Sequence, residues 1–180
     1  MSKNLYMEEV GKKAKIASKN LFHLSSKKKD DVLKQFCIYL KKYKKLILKE
    51  NQKDILKAKK NTKVERLRLT NNKIHQIIKS VEKIIKFRNP IGKNLSSWKR
   101  PNGLIIKKVS IPIGVIGVIY ESRPNVTSDV ATLCFKSGNS VILRGGSEAF
   151  FSNKIISDLF RRALKKKNCN ENSVQFINKI

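Results

Sequence analysis

Apolar residues recur at helical spacing through the first ninety positions, and then the period changes. Val10, Ala14, Ala17 and Leu21 line one face of a helix predicted over 4–22. Leu33, Phe36, Leu40, Tyr43 and Ile47 do the same over 27–48, with lysine on the other faces and Ser25 or Ser26 placed to cap the start. A short helix follows over 51–60. Residues 70–86 carry Ile74, Ile77, Ile78, Val81 and Ile84 behind a capping Thr70, and this helix ends before Asn89-Pro90. Residues 90–103 hold Pro90, Gly92, Pro101 and Gly103, which read as a linker around Trp98.

Beyond the linker the pattern is that of strands alternating with helices. Leu104–Ile106 and Val109–Ile111 read as extended. Ile113–Tyr120 is a β-branched apolar run that suits a strand buried on both faces. A helix over 126–137 ends at Ser137-Gly138-Asn139, a good stop signal. Val141–Leu143 reads as a short strand, 149–166 as an amphipathic helix, and Val174–Ile177 as one more strand. The order predicts an α/β fold: a helical N-terminal region followed by part of a doubly wound parallel sheet. We divide the chain into a helical region over 1–90, a linker and extended arm over 91–112, and a partial Rossmann-like unit over 113–180.

Composition narrows the choice of function. No run of 18 apolar residues is present and the start, MSKNLYMEEV, has no apolar stretch, so a soluble cytoplasmic chain without membrane partners is expected. Cys37, Cys134 and Cys169 are far apart and lack CxxC spacing, and His23 and His75 lack partners at ligand spacing. Free thiols and no metal site follow. The net charge of +28 admits nonspecific nucleic-acid binding. However, the cations are 33 Lys against only 8 Arg, spread over helix faces, and base readout favours Arg. With 16 Asn and many Ile beside them, the lysines fit compositional drift better than an evolved nucleic-acid surface.

The candidate chemistry lies at the carboxyl ends of the predicted strands, where open parallel sheets bind ligands. Glu121-Ser122-Arg123-Pro124-Asn125 follows the first long strand and Arg144-Gly145-Gly146-Ser147-Glu148 the second. Both loops lead into helix starts, where free amides favour anions. Gly145 and Gly146 would let backbone approach a ligand, and Arg144 offers a planar fork suited to phosphate. Glu148 could accept from ribose hydroxyls or simply sit well in a first helical turn. Neither GxGxxG nor GxxxxGK[ST] is present, so spacing alone does not make this a nucleotide site. Gly114 and Gly117, within the strand, are compatible with close packing only.

The block PIGVIGVIYESRPNVTSDVATLCFKSGNSVILRGGSEA, from Pro112 to Ala149, closely resembles the signature region of the γ-glutamyl phosphate reductases, also called glutamate-5-semialdehyde dehydrogenases. These belong to the aldehyde dehydrogenase superfamily. The segments RLRLT at 66–70 and WKRPNGLIIKKVSIP at 98–112 are similar to the family too. The resemblance implies an oxidoreductase of proline biosynthesis that converts γ-glutamyl phosphate and NADPH to glutamate 5-semialdehyde, phosphate and NADP⁺. The mechanism it implies has a cysteine thiolate displace phosphate and hydride from the nicotinamide reduce the thioester. It implies that Arg144, Gly145, Gly146, Ser147 and Glu148 form the ribose-side segment of the NADPH site, with Arg144 near the ribose or its 2′-phosphate. It places Glu121, Ser122, Arg123 and Pro124 toward the nicotinamide, and makes Asn125 a candidate oxyanion or substrate contact.

The same resemblance implies that the nucleophilic cysteine lies beyond Ile180, because the family's chains are more than twice this long and none of the three cysteines here matches its motif. The 180 residues are therefore expected to be a truncated cofactor-binding domain, inactive alone, and marginally stable or aggregation-prone through exposed apolar surface and a strand edge. A homo-oligomer or a complementary C-terminal chain is the expected partner. A functionless remnant and a basic nucleic-acid-binding or partner-binding protein are the competing readings.

Overall fold

The structure, a computed structural model, describes residues 3–58 and 64–178. Helix α1 spans Lys3–Phe22, α2 Ser26–Lys42, α3 Lys44–Leu56, α4 Val64–Leu67 and α5 Asn71–Ile85. The caps follow the sequence signals. Ser25 Oγ accepts from the Lys28 amide at 3.2 Å, and Thr70 Oγ1 accepts from the Lys73 amide at 3.2 Å.

One helix boundary differs from expectation. The stripe over 27–48 is broken at Tyr43, which ends α2 and opens α3. No Gly or Pro marks the break, so the pattern did not show it. The bend lets both helices lie on a later helix while Leu40 and Ile47 stay buried. The predicted helix over 51–60 is thus the second half of α3, and its last two positions lie outside the described residues.

Residues 94–99 depart from the linker reading, and the extended reading of 104–111 meets a strand over 105–109. β1, Asn94–Lys99, pairs antiparallel with β2, Ile105–Val109, setting Trp98 opposite Ile106. Pro101 and Gly103 form its turn: the Arg100 amide donates to the Leu104 carbonyl at 2.8 Å, and Gly103 has φ +88°. Turn residues that read as a linker are the tip of a hairpin.

The sheet proper is parallel, in the order β3 (Val115–Tyr120), β4 (Ser140–Gly145), β5 (Val174–Phe176). Helix α6, Pro124–Lys136, joins β3 to β4, and α7, Phe150–Lys166, joins β4 to β5. The predicted stop after α6 forms as expected: Gly138 has φ +78°, and the Asn139 amide donates to the Cys134 carbonyl at 2.8 Å. Val141 and Leu143 face α6 and α7 in a core with Phe135, Leu159 and Phe160. Phe160 links this core outward to Phe36 of α2, with ring centroids 4.6 Å apart. Helix α1 covers the opposite face, where Gln175 Nε2 donates to the Val10 carbonyl at 2.9 Å. The layers run from α1 through the sheet to α6 and α7, and then to α2, α3 and α5.

β3 is not buried on both faces. Ile116, Val118 and Tyr120 pack inward, but Ile119 is 87% exposed. β3 is an edge of the described sheet, and α1 lies chiefly across β4. Among the described residues no helix is long and apolar enough to cross a membrane.

Candidate functional site at the strand ends

Parallel pairing in register sets Tyr120 beside Gly145, so the loops after β3 and β4 leave the sheet side by side. They touch. A Cβ on Gly146 would sit 2.2 Å from Ser122 Oγ, and one on Gly145 would sit 2.3 Å from Asn153 Nδ2 and 3.0 Å from the Tyr120 ring. A side chain at either position would therefore make Ser122, Asn153 or Tyr120 shift. The Cβ positions of the two glycines face Ser122, Asn153 and Tyr120.

Behind the glycines is a buried polar network. The Tyr120 and Thr127 hydroxyls lie 2.6 Å apart, and Thr127 Oγ1 donates to Asn153 Oδ1 at 2.9 Å. It joins β3, α6 and α7 beneath the loops. Burial pushes the Tyr120 phenol up to about 12, against the opposing effect of its Thr127 hydrogen bond, so it stays neutral.

Arg144 stands opposite Ile119, on the sheet face away from Val141 and Leu143. Its Nη1 is buried and has no hydrogen-bond partner among the described residues. A buried cationic donor without an acceptor costs free energy unless something else supplies one. Ser147 and Glu148 are exposed in a one-turn 3₁₀ segment, Ser147–Ala149.

The other loop is more open. Glu121 is exposed, and its Oε2 lies 3.5 Å from Arg66 Nη1 and 3.6 Å from Arg123 Nε. Arg123 occupies the cap position of α6 without a side-chain cap, and buried Pro124 is at the helix start. Asn125 is turned elsewhere. Its Nδ2 lies 3.5 Å from Asp129 Oδ2, and it lines a cavity between α5 and α6 that also holds Arg66 and Arg68.

One expectation of open amides is not met. At the start of α7 the amides of Phe151 and Ser152 donate to Asp54 of α3, at 3.0 and 2.8 Å. Burial raises the Asp54 carboxyl, and hydrogen bonds from Ser152 and Phe151 oppose that rise. Beside it, Asn51 Nδ2 donates to the Leu67 carbonyl and Asn51 Oδ1 accepts from the Leu69 amide, both at 2.8 Å. Asn51 and Asp54 thus tie the 67–69 segment and the post-β4 loop to one helix. Sequence reasoning missed both. The signal was their spacing of four and seven from buried Ile47, on one face of α3.

The cysteines lie in other environments. Cys37 and Cys134 are buried, and burial raises the thiols of all three. Among the described residues, no group of three His, Cys, Asp or Glu side chains could hold a metal.

With the geometry in view, the chain can be set beside known proteins. It is 46% identical over 175 residues to the γ-glutamyl phosphate reductase of Caldicellulosiruptor bescii, an alignment covering 94% of this chain and 41% of that protein. A γ-glutamyl phosphate reductase of Carboxydothermus hydrogenoformans is similar too, 46% identical over 178 residues, covering 95% of this chain and 43% of that protein. The solved structure of the γ-glutamyl phosphate reductase from Thermotoga maritima superposes with a TM-score of 0.92 at 41% identity, covering 95% of this chain and 42% of that one. A glyceraldehyde-3-phosphate dehydrogenase from Methanocaldococcus jannaschii, solved with NADP, shares the fold with a TM-score of 0.66 at 16% identity, over 94% and 35% of the two chains. No family model matches. The chain spans about two-fifths of the length of the curated γ-glutamyl phosphate reductases it matches.

Proposed function

We propose that this chain forms the NADPH side of a site that reduces γ-glutamyl phosphate to glutamate 5-semialdehyde and phosphate. The observation that carries the reading is the buried, unpartnered Nη1 of Arg144 at the end of β4, in a chain this similar to the γ-glutamyl phosphate reductases. A nicotinamide dinucleotide fits that donor set, because a ribose or a 2′-phosphate supplies the acceptor that Arg144 lacks. Ser147 and Glu148 would hold ribose hydroxyls, while Gly145 and Gly146 keep the floor low. Glu121, Ser122, Arg123 and Pro124 would border the nicotinamide. Residues 113–180 are then the cofactor unit. Bound there, the reduced nicotinamide would supply the hydride the reduction needs.

The chain's own residues orient and hold. The Tyr120–Thr127–Asn153 network keeps the floor rigid and uncharged, and Asp54 fixes the loop that carries Ser147 and Glu148. The acyl-accepting cysteine is assigned outside these 180 residues, because burial holds Cys37, Cys134 and Cys169 in the less nucleophilic thiol form.

Cofactor titration tests the reading through nucleotide fluorescence. The chain is expected to bind NADPH more tightly than NADH, and Arg144→Gln is expected to weaken NADPH binding about tenfold with a smaller effect on NADH. Equal affinity for the two nucleotides, unchanged by the substitution, would remove Arg144 from the site and the reading with it.

A further inference from the structure

A cavity of about 340 Å³ lies between the 66–69 segment, α5 and the start of α6. That is within the range of small-molecule sites. Its charges are unevenly committed. Lys73 is occupied by protein, donating to the carbonyls of Glu65 at 2.9 Å and Arg68 at 2.8 Å. Arg66 leans to Glu121 at 3.5 Å, an exposed pair of small energetic value. Arg68 has no carboxylate partner among the described residues.

On the α6 side stands Asp129, the one carboxylate among the described residues that line the cavity. Ser80 Oγ donates to its Oδ1 at 2.9 Å and Asn125 Nδ2 lies 3.5 Å from its Oδ2. Both contacts are from neutral groups, and no cation pairs with it among the described residues. Unpaired cation and unpaired anion therefore share one cavity without meeting, over an apolar floor of buried Leu69 and Ile77. A ligand with a carboxylate, an ammonium and a short methylene chain satisfies all three features. The planar arginine fork matches a carboxylate, and Asp129 keeps acceptor capacity for an ammonium.

We infer that this cavity is the head-group subsite for an α-amino acid: Arg68, assisted by Arg66, takes the α-carboxylate, and Asp129 takes the α-ammonium. This rests on the reductase reading above, in which the substrate is a γ-glutamyl compound whose acyl end extends past Asn125 to the strand ends. Specificity then lies on α6 and the 66–69 segment, away from Arg144.

Calorimetric titration of the chain with L-glutamate, glutarate, 4-aminobutyrate and inorganic phosphate tests it, with NADPH titrated in parallel. L-Glutamate is expected to bind about tenfold more tightly than glutarate, which lacks the ammonium, and than 4-aminobutyrate, which lacks the α-carboxylate. Arg68→Gln should abolish the advantage over 4-aminobutyrate. Asp129→Asn, which retains an acceptor for Ser80, should abolish the advantage over glutarate. NADPH affinity and the thermal midpoint should stay at wild-type values in both variants. NADPH binding without L-glutamate binding would overturn the subsite and leave the cofactor reading standing. L-Glutamate binding with the expected discrimination, but no NADPH binding, would support the subsite and overturn the cofactor reading. Binding of neither would overturn both. Equal affinity for L-glutamate and glutarate, with full displacement by phosphate, would make the cavity a phosphate site and overturn the assignment.

Discussion

Arg144 and Cys37 show how burial sorts residues that look equally reactive in a sequence. Arg144 is left with an unfilled donor, which is a reason to look for a ligand. Cys37 answers burial by holding its proton: desolvation, with Glu82 adding to it, pushes the thiol up to about 11 from 9.0. An acid with a raised native pKa loses its proton first in the unfolded chain. Its contribution to stability is therefore complete below pH 9 and falls away as the pH rises toward 11. The same shift controls reactivity, because only the thiolate attacks. At pH 8 roughly one Cys37 in a thousand is ionised, given three units between pH and pKa. Iodoacetamide should accordingly label half-buried Cys169 well before Cys37 and Cys134, with Cys37 labelling rising only near pH 11. Peptide mass spectrometry reads this directly, and fast modification of Cys37 at pH 8 would contradict the buried-thiol account. The identity of the strand-end residues was legible in the sequence because motif and position coincide there. The roles of Gly145 and Gly146 were not, since a glycine that clears space for Ser122 or Asn153 looks the same as one that clears space for a ligand.

At the level of elements, the stripes of α1, α2 and α5, the caps of α2 and α5 and the stop after α6 were readable, because each rests on neighbours within a few residues. The break at Tyr43 and the role of Asp54 were not, because each depends on contacts distant in sequence, and the local β1–β2 hairpin was not, because its turn residues Pro101 and Gly103 suit a linker equally well. Asp54 is the clearest case: it meets the amides of Phe151 and Ser152 almost a hundred residues later, and serves as the N-terminal cap that α7 lacks in its own sequence. A side chain on one helix thereby caps another and fixes the loop between β4 and α7. Asp54→Ala would leave those two amides and the Ser152 hydroxyl without this acceptor, at a cost of about 2 kcal/mol. For a chain of this size that corresponds to a midpoint lower by roughly 4–8 °C. Asp54→Asn, still an acceptor, should lose less than half as much. Differential scanning calorimetry measures both, and an unchanged midpoint in Asp54→Ala would show that the contact contributes nothing to stability.

Across the whole molecule, apolar burial is lopsided. The deep core lies where α6 and α7 meet the sheet and the N-terminal helices. The far margin is bare: Ile111 is 69% exposed, Ile113 84% and Ile119 87%, all on β3 or the chain leading into it. The hairpin adds Leu95, Trp98 and Ile105 to the exposed apolar residues. An edge strand with an uncovered apolar face offers unpaired backbone groups and hydrophobic area together, and that combination drives association. The charge of +28 opposes it by repulsion, so salt decides the balance. In dilute buffer the chain should stay dispersed. As sodium chloride approaches about 0.5 M, where the Debye length falls to roughly 4 Å, light scattering should show concentration-dependent growth in mass. Ile119→Lys puts a charge on the bare face without touching the core and should suppress that growth. If the variant associates as readily as the parent, the β3 face is not the contact, and the hairpin is the next surface to charge.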